Sequence, residues 1–275
     1  MFYGKKCRGR GENTVSKTFL KYDKPLITAM IQCSTAEECI AKIKASAADG
    51  ADAFGVQLCK LKREQRTKKN LTEIFSACGD KPIYVTSYRH AESTGYSDDD
   101  CAELLLSALE CGATLCDVMG DLFDRSPHYE LTTDEKAVKK QKELIEEIHR
   151  RGGEVQMSSH TFKSLSVEEN LMIAKAHAER GADIIKIVNT AKTVDELPVY
   201  VEAIQKILHM TDKKLLMLVS GPGQLIRYIG PSIGVCMYLC VQSRGPLDNL
   251  PEQPLVKQIK AVRDNIIFYS EKEEQ

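Results

Sequence analysis

The chain has 275 residues and a formal net charge of −1. A balance this close to neutral gives no long-range attraction to nucleic acid or to an anionic membrane surface. No apolar run approaches the ~18 residues that span a bilayer.

Residues 1–24 are polar and basic, with Thr14 to Tyr22 as a possible short hairpin. The opening Met-Phe-Tyr-Gly-Lys-Lys-Cys-Arg lacks an apolar h-region, so it does not read as a signal peptide. From Pro25 a unit repeats. Pro25–Ile31 is strand-like, and Ala36–Ala48 follows as a helix with Ser34 or Thr35 as its N-cap. Ala53–Leu58 is the second strand. The charged stretch Lys60–Lys69, a solvated face by its pattern, leads to a helix near Leu71–Cys78. Pro82–Ser87 is the third strand, and Asp98–Glu110 a helix whose acidic first turn suits the helix dipole. Leu115–Met119 is the fourth strand. Thr132-x-x-Glu135 reads as a capping box for the next helix, which Gly152-Gly153 ends. Glu154–Ser159 is the fifth strand, and Ser166-x-x-Glu169 caps a helix to Arg180. Asp183–Val188 is the sixth strand, and Thr193-x-x-Glu196 opens a helix to about His209. Leu215–Val219, a short helix from Gln224, Gly234–Leu239 and a last helix Pro254–Asn265 complete the pattern. The tail, 269–275, is charged and reads as frayed.

Strands alternating with helices mean βαβ units and a parallel sheet. The junction Gly-Ala-[Asp/Thr] recurs at Gly50, Gly112 and Gly181. Eight units in this length favour an α/β fold of one domain, a (β/α)₈ TIM barrel over residues 25–268, rather than a doubly wound sheet. The Gly-rich dinucleotide fingerprint expected after a first Rossmann strand is absent, since Cys33-Ser34-Thr35 stands there.

The sixth strand carries the oddest residue. Side chains alternate along a strand, so Ile184, Lys186 and Val188 share one face, and the run of Ile and Val suits a strand buried on both faces. Burying an unpaired ammonium costs several kcal/mol and favours its neutral form. A neutral lysine attacks carbonyls; the alternative is a lysine that reaches solvent from a strand end. Chemistry in such barrels sits at the carboxyl ends of the strands. His160 ends the fifth strand, next to the sixth, and could shuttle protons beside Lys186. The seventh strand leads to Ser220-Gly-Pro-Gly223 and Arg227, either a turn with a surface arginine or a clamp for a carboxylate. The third leads to Tyr88-Arg89-His90-Ala91-Glu92. The ten cysteines are scattered, with no C-x-x-C and no metal-ligand cluster, as expected of reduced thiols in a cytoplasm. Cys33 and Cys59, at strand ends, are expected to face the barrel mouth.

Ser-Ser-His160-x-Phe, followed by Ile-Lys186-Ile, resembles the type I 3-dehydroquinate dehydratase family. The resemblance covers roughly residues 25–265. It implies a (β/α)₈ barrel that dehydrates 3-dehydroquinate to 3-dehydroshikimate in the shikimate pathway. It further implies a Schiff base on Lys186, His160 as general acid/base, and no cofactor or metal. Arg227 and Gln253, the latter in Pro251-Glu252-Gln253, correspond to groups that hold the substrate carboxylate. Arg89 stands at the arginine of a Thr-Phe-Arg motif. The glutamate that orients the histidine falls near Ser93, with Glu92 one place off, and the serine of the last loop aligns with Asn249. The family's Glu-x-Arg-x-Asp, which grips ring hydroxyls, is replaced by Gly55, Gln57 and Cys59.

The leading function is therefore a Schiff-base carbon–oxygen lyase. An alternative is a lysine-dependent dehydratase or aldolase for another carboxylated ketone, with Gly55 and Gln57 opening and neutralising one side of the pocket. The third is a barrel that has lost turnover and binds ligand only. The expected partner is a small carboxylated ketone, with no nucleic acid, no membrane and a possible homodimer.

Overall fold

The computed structural model describes residues 17–245 and 251–268. Strand and helix alternate along them: β1 Leu26–Ile31, α1 Ala36–Ala48, β2 Ala53–Gln57, α2 Lys68–Ser76, β3 Ile83–Thr86, α3 Asp98–Glu110, β4 Leu115–Met119, α4 Glu135–Arg150, β5 Glu154–His160, α5 Val167–Arg180, β6 Ile184–Thr190, α6 Leu197–Met210, β7 Lys214–Ser220, α7 Ile226–Ile229, β8 Met237–Cys240 and α8 Val256–Asp264. The strands form one parallel sheet of eight in the order β7-β6-β5-β4-β3-β2-β1-β8. Its two edges come together where the Cys236 N–H donates to the Leu215 C=O at 2.8 Å. This is the expected (β/α)₈ barrel, nearly closed.

Caps and turns explain the boundaries. Thr35 with Glu38, Ser97 with Asp100 and Ser166 with Glu169 form reciprocal capping boxes on α1, α3 and α5. Each satisfies two backbone donors that a helix leaves open. The repeated junctions at Gly50, Gly112 and Gly181 have φ of +98°, +112° and +102°, a backbone that excludes most side chains. Two expected caps differ. Asp134, not Thr132, caps α4 by accepting from Ala137 N–H, while the Thr132 hydroxyl turns to Asp124. Thr193 makes no side-chain cap; a 3₁₀ turn, Val194–Glu196, precedes α6, and Glu196 accepts from Ser164 and from Lys192 N–H.

The expected hairpin near Thr14 does not form within the described residues 17–22. Instead Thr18 and the Phe19 N–H donate to Glu154 at the start of β5. Phe19, fully buried, sets its ring edge on Tyr84 at 6.5 Å. The segment thus plugs the amino-terminal end of the barrel. The outer faces of the strands pack on the helices, and the polar interior residues lie toward the carboxyl end. No helix among the described residues is long and apolar enough to cross a membrane.

Candidate active site

A cavity of about 690 Å³ opens at the carboxyl ends of the strands. Lys186 lies on its floor, 3% exposed. It points into the barrel, as strand alternation requires, but it is not unpaired. Its Nζ lies 3.1 Å from Asp117 Oδ2 and donates to the hydroxyls of Tyr88 at 2.7 Å and Tyr84 at 3.1 Å. Asp117 belongs to β4, two strands away, and alternate strands contribute to the same interior layer of such a barrel. The same carboxylate accepts from Tyr84, from Tyr88 at 2.7 Å, from Gln156 at 3.0 Å and from Ser158 at 2.5 Å. Burial pushes the Asp117 pKa up, but Lys186, His160 and these hydrogen bonds outweigh it and hold it below the ordinary value. Burial and the Asp117 charge raise both tyrosines well above theirs, so each stays a neutral donor.

His160 lines the cavity from β5, paired in register with Val188 of β6. Tyr88 joins the two side chains: its hydroxyl accepts from Lys186 and its ring sits 5.1 Å from the His160 ring, edge to face. The carboxylate on His160 comes from Glu130, in the loop after β4. Glu130 Oε2 lies 2.7 Å from Nδ1 and accepts the His160 backbone N–H at 2.6 Å. The expectation for Glu92 is corrected here. Glu92 is exposed on a short turn, Ala91–Ser93, where its C=O accepts from Arg63, and Ser93 is buried against Arg66. Arg89 does line the cavity, yet Asp98 at 2.5 Å and Asp121 at 2.7 Å take its guanidinium. It braces the loops after β3 and β4.

Arg227 is buried, not a surface arginine. Its Nε donates to the Val219 C=O and one terminal nitrogen to Ser220 Oγ, each at 2.9 Å. The other, Nη1, is buried without a partner beside the cavity. Burial lowers its pKa to about 10, against the pull of Glu252. An unpaired buried guanidinium nitrogen is costly and favours an anionic oxygen there. Gln253 lines the same side and accepts from Gln32 at 3.4 Å. Asn249 lies outside the described residues. Gly55 does not open the pocket: a Cβ there would lie 2.3 Å from Met30 Sδ and 2.8 Å from Tyr84, which fill the space. Gln57 does line the cavity and neutralises that side. Cys33 and Cys59 pack in the apolar layer behind the strands, Cys59 at 4.0 Å from His90.

A buried amine, a histidine on the adjacent strand and a waiting guanidinium now stand in one cavity. The model of the type I 3-dehydroquinase family matches residues 27–266. The chain belongs to that family. It is 29% identical over 175 residues to the 3-dehydroquinate dehydratase of Syntrophotalea carbinolica, a match spanning 62% of this chain and 64% of that one, just under two thirds of the relative's length. The structure resembles the 3-dehydroquinate dehydratase of Geobacillus kaustophilus, with TM-score 0.74 and 15% identity over 88% of this chain and 91% of that one. It also resembles the type I enzyme of Clostridium difficile, solved with covalent modified comenic acid, with TM-score 0.72 and 20% identity over 88% and 92%. At such identities the structural likeness speaks for the fold.

Sequence reasoning missed Asp117, Tyr84 and Glu130, and named Tyr88 only within the polar run that follows the third strand. Asp117 had a signal: a carboxylate inside Leu-Cys-Asp-Val-Met is as anomalous as a lysine inside Ile-Ile-Lys-Ile-Val. Glu130 had none, because its loop lies 30 residues from His160 in the chain.

Proposed function

We propose that this chain dehydrates 3-dehydroquinate to 3-dehydroshikimate through a Schiff base on Lys186. The observation that carries the reading is the placement of a buried amine on the cavity floor with His160 on the neighbouring strand. Lys186 Nζ, once it has passed a proton to its surroundings, adds to the C3 carbonyl, and loss of water gives the iminium. The iminium withdraws electrons from the C3–C2 region, so a C2 proton can leave to His160. The electron pair then forms the C1–C2 double bond as the C1 hydroxyl departs, taking the proton back from His160 as water. Hydrolysis frees the enone and Lys186. Tyr84 and Tyr88, kept neutral, can donate to the carbinolamine oxygen. Arg227 Nη1 and Gln253 are assigned to the substrate carboxylate, which supports one fixed pose in the cavity.

The test is reductive trapping. Borohydride with 3-dehydroquinate should add the reduced substrate mass to Lys186, and enone absorbance should grow without borohydride. Neither adduct nor enone would rule the reading out. A second reading keeps Lys186 and changes the ketone. It is favoured by the wall of Met30, Gln57 and Leu239, which has no charged side chain. Adducts with other keto acids but none with 3-dehydroquinate would select it. We place the enzyme in the cytoplasm, where the nine cysteines of the described residues, none in a disulfide and most of them buried, stay reduced. A homodimer is the family expectation, and light scattering of the purified chain decides it.

A further inference from the structure

Imine chemistry moves protons at the amine itself, and three groups stand within hydrogen-bond reach of Lys186 Nζ: Tyr84, Tyr88 and Asp117. Thr86, the last residue of β3, is in register with Asp117 of β4. Tyr84 and Tyr88 flank that position on the inner face, two residues before and two after it, and both hydroxyls reach the Asp117 carboxylate. Tyr84 lies deep, fully buried, with its ring against Phe19 and its hydroxyl accepting from Gln156 at 2.8 Å. Of the three groups, Tyr88 alone lines the cavity, so it is the one that a ketone arriving from the mouth meets at Nζ.

The Tyr88 ring is held between two others, His160 at 5.1 Å and His90 at 5.6 Å. Its hydroxyl accepts from Nζ at 2.7 Å and donates to Asp117 Oδ2 at 2.7 Å, an unbroken line from ammonium to carboxylate. Burial first, and then the Asp117 charge, keep this hydroxyl from ionising, so it can pass a proton only by gaining one as it gives one. His160 stands off this line. Ser158 is the β5 residue in register with Lys186, whereas His160 pairs with Val188. That sets the histidine two residues nearer the mouth, about 6.6 Å along the strand. Its Nδ1 is already engaged by Glu130.

We propose that Tyr88 is a second acid/base residue, which carries the protons of imine formation and hydrolysis between Lys186 Nζ and the carbonyl oxygen and leaves His160 the C2 proton and the departing hydroxyl. The inference rests on the dehydratase reading for its substrate. The ammonium passes one proton to Tyr88 as the Tyr88 proton moves to Asp117, which leaves a neutral amine, a neutral tyrosine and a neutral acid. The amine then adds to the carbonyl carbon, and the C=O π pair moves to oxygen. Asp117 returns its proton through Tyr88 to that oxygen. A second proton follows from nitrogen by the same route, and the C–O bond breaks to release water as the nitrogen pair forms the iminium. Two of the three ammonium protons end in the water and one stays on nitrogen, so ammonium and ketone give iminium and water with no base left over. Asp117, ionised again, faces the iminium charge. Hydrolysis runs the same line backwards.

The test reads the imine step apart from elimination, as the rate at which borohydride traps 3-dehydroquinate on Lys186. In Tyr88→Phe that rate should fall about 100-fold, the lower range for a general acid/base contribution, and stay low at every pH. In His160→Gln enone formation should stop while trapping proceeds at the parent's rate. Trapping at the parent's rate in Tyr88→Phe overturns the proposal. So does a loss that raising the pH restores, because the hydroxyl would then only tune the charge of Lys186. Equal slowing of trapping in His160→Gln also overturns it, since the histidine would then serve both steps; this arm decides even if Tyr88→Phe does not fold. If the parent takes no 3-dehydroquinate at all, the dehydratase reading fails. Acetaldehyde with borohydride, followed as mass on the Lys186 peptide, then decides the role of Tyr88, because any carbonyl moves the same two protons: slowing in Tyr88→Phe upholds the role and equal rates end it.

Discussion

The lysine that sequence reading leaves unpaired has a carboxylate beside it, and this changes what its removal should do. In Lys186→Met the Asp117 carboxylate stays buried without a cation. Loss of one partner of a buried pair typically destabilises by ~3–5 kcal/mol. The four neutral donors that remain on Asp117, Tyr84, Tyr88, Gln156 and Ser158, place the expected loss at the lower end, about 3 kcal/mol. Adding Asp117→Asn should recover most of it, and urea unfolding of the two variants measures both. A Lys186→Met chain more stable than the parent would instead favour the ligand-binding reading without turnover. His177 gives a second residue-scale expectation. It is fully buried in α5 against Ser159 at 3.0 Å, with Nδ1 unpartnered, and burial pulls its pKa down to about 3. An unfolded histidine titrates near 6.5. Between these values the unfolded chain holds a proton that the folded chain lacks, so stability falls as pH drops from about 6.5 toward 3. The slope approaches 1.4 kcal/mol per pH unit. His177→Gln should flatten the pH dependence of the urea midpoint between pH 7 and pH 5; an identical slope in both chains would contradict this.

At the scale of elements, Gly55 shows how a strand can be refitted. Met30 of β1 and Tyr84 of β3 lean over it from both neighbours. The Met30 side chain can move aside, but the Tyr84 ring is pinned by Phe19 and Asp117. Gly55→Ala should therefore destabilise by ~1–3 kcal/mol, as overpacked cores do. Met30→Ala in the same chain should relieve part of the strain. Thermal unfolding of the single and double variants checks this, and a neutral Gly55→Ala would show the space to be open after all. Period and caps made the elements themselves legible: α1 and α3 begin and end where Thr35 and Ser97 and the following glycines require. Lys186 and His160 were legible too, because a charge in an apolar run and a histidine at a strand end are local anomalies. What was not legible is whatever depends on loop paths. Glu92 stands one place off the family spacing and faces solvent, while Glu130 reaches His160 only through two left-handed residues, Tyr129 and Glu130, and the Arg180 clamp on the Gly120 and Thr132 carbonyls that closes their loop. The α4 start shows the same limit on a small scale, since Thr132 and Asp134 compete for one helix end and the loop's closure decides between them.

Across the whole molecule the barrel has one weak line. Every other pair of neighbouring strands shares a parallel ladder, but β7 and β8 meet, among the described residues, through the Cys236 N–H to the Leu215 C=O. The proposed carboxylate clamp straddles this line. Arg227 follows β7, Gln253 follows β8, and Leu218 and Leu239 from the two strands face the same cavity. A carboxylate held by both would tie the edges together at the mouth, supplying across the seam the bonds the backbone lacks. Local opening follows the least bonded boundary of a fold. In amide hydrogen exchange, Cys236 should therefore exchange at least about tenfold faster than Ile187 in the centre of β6, a gap of ~1.4 kcal/mol in opening free energy. The borohydride-trapped adduct should narrow that gap, because its carboxylate binds only the closed seam and so shifts opening by mass action. The adduct of an Arg227→Ala chain should leave Cys236 as fast as in the free protein. Equal protection at Cys236 and Ile187 before trapping would mean that the seam is no weaker than the ladders. Slowing that survives loss of Arg227 would mean that Lys186 attachment alone, and not the clamp, closes the barrel.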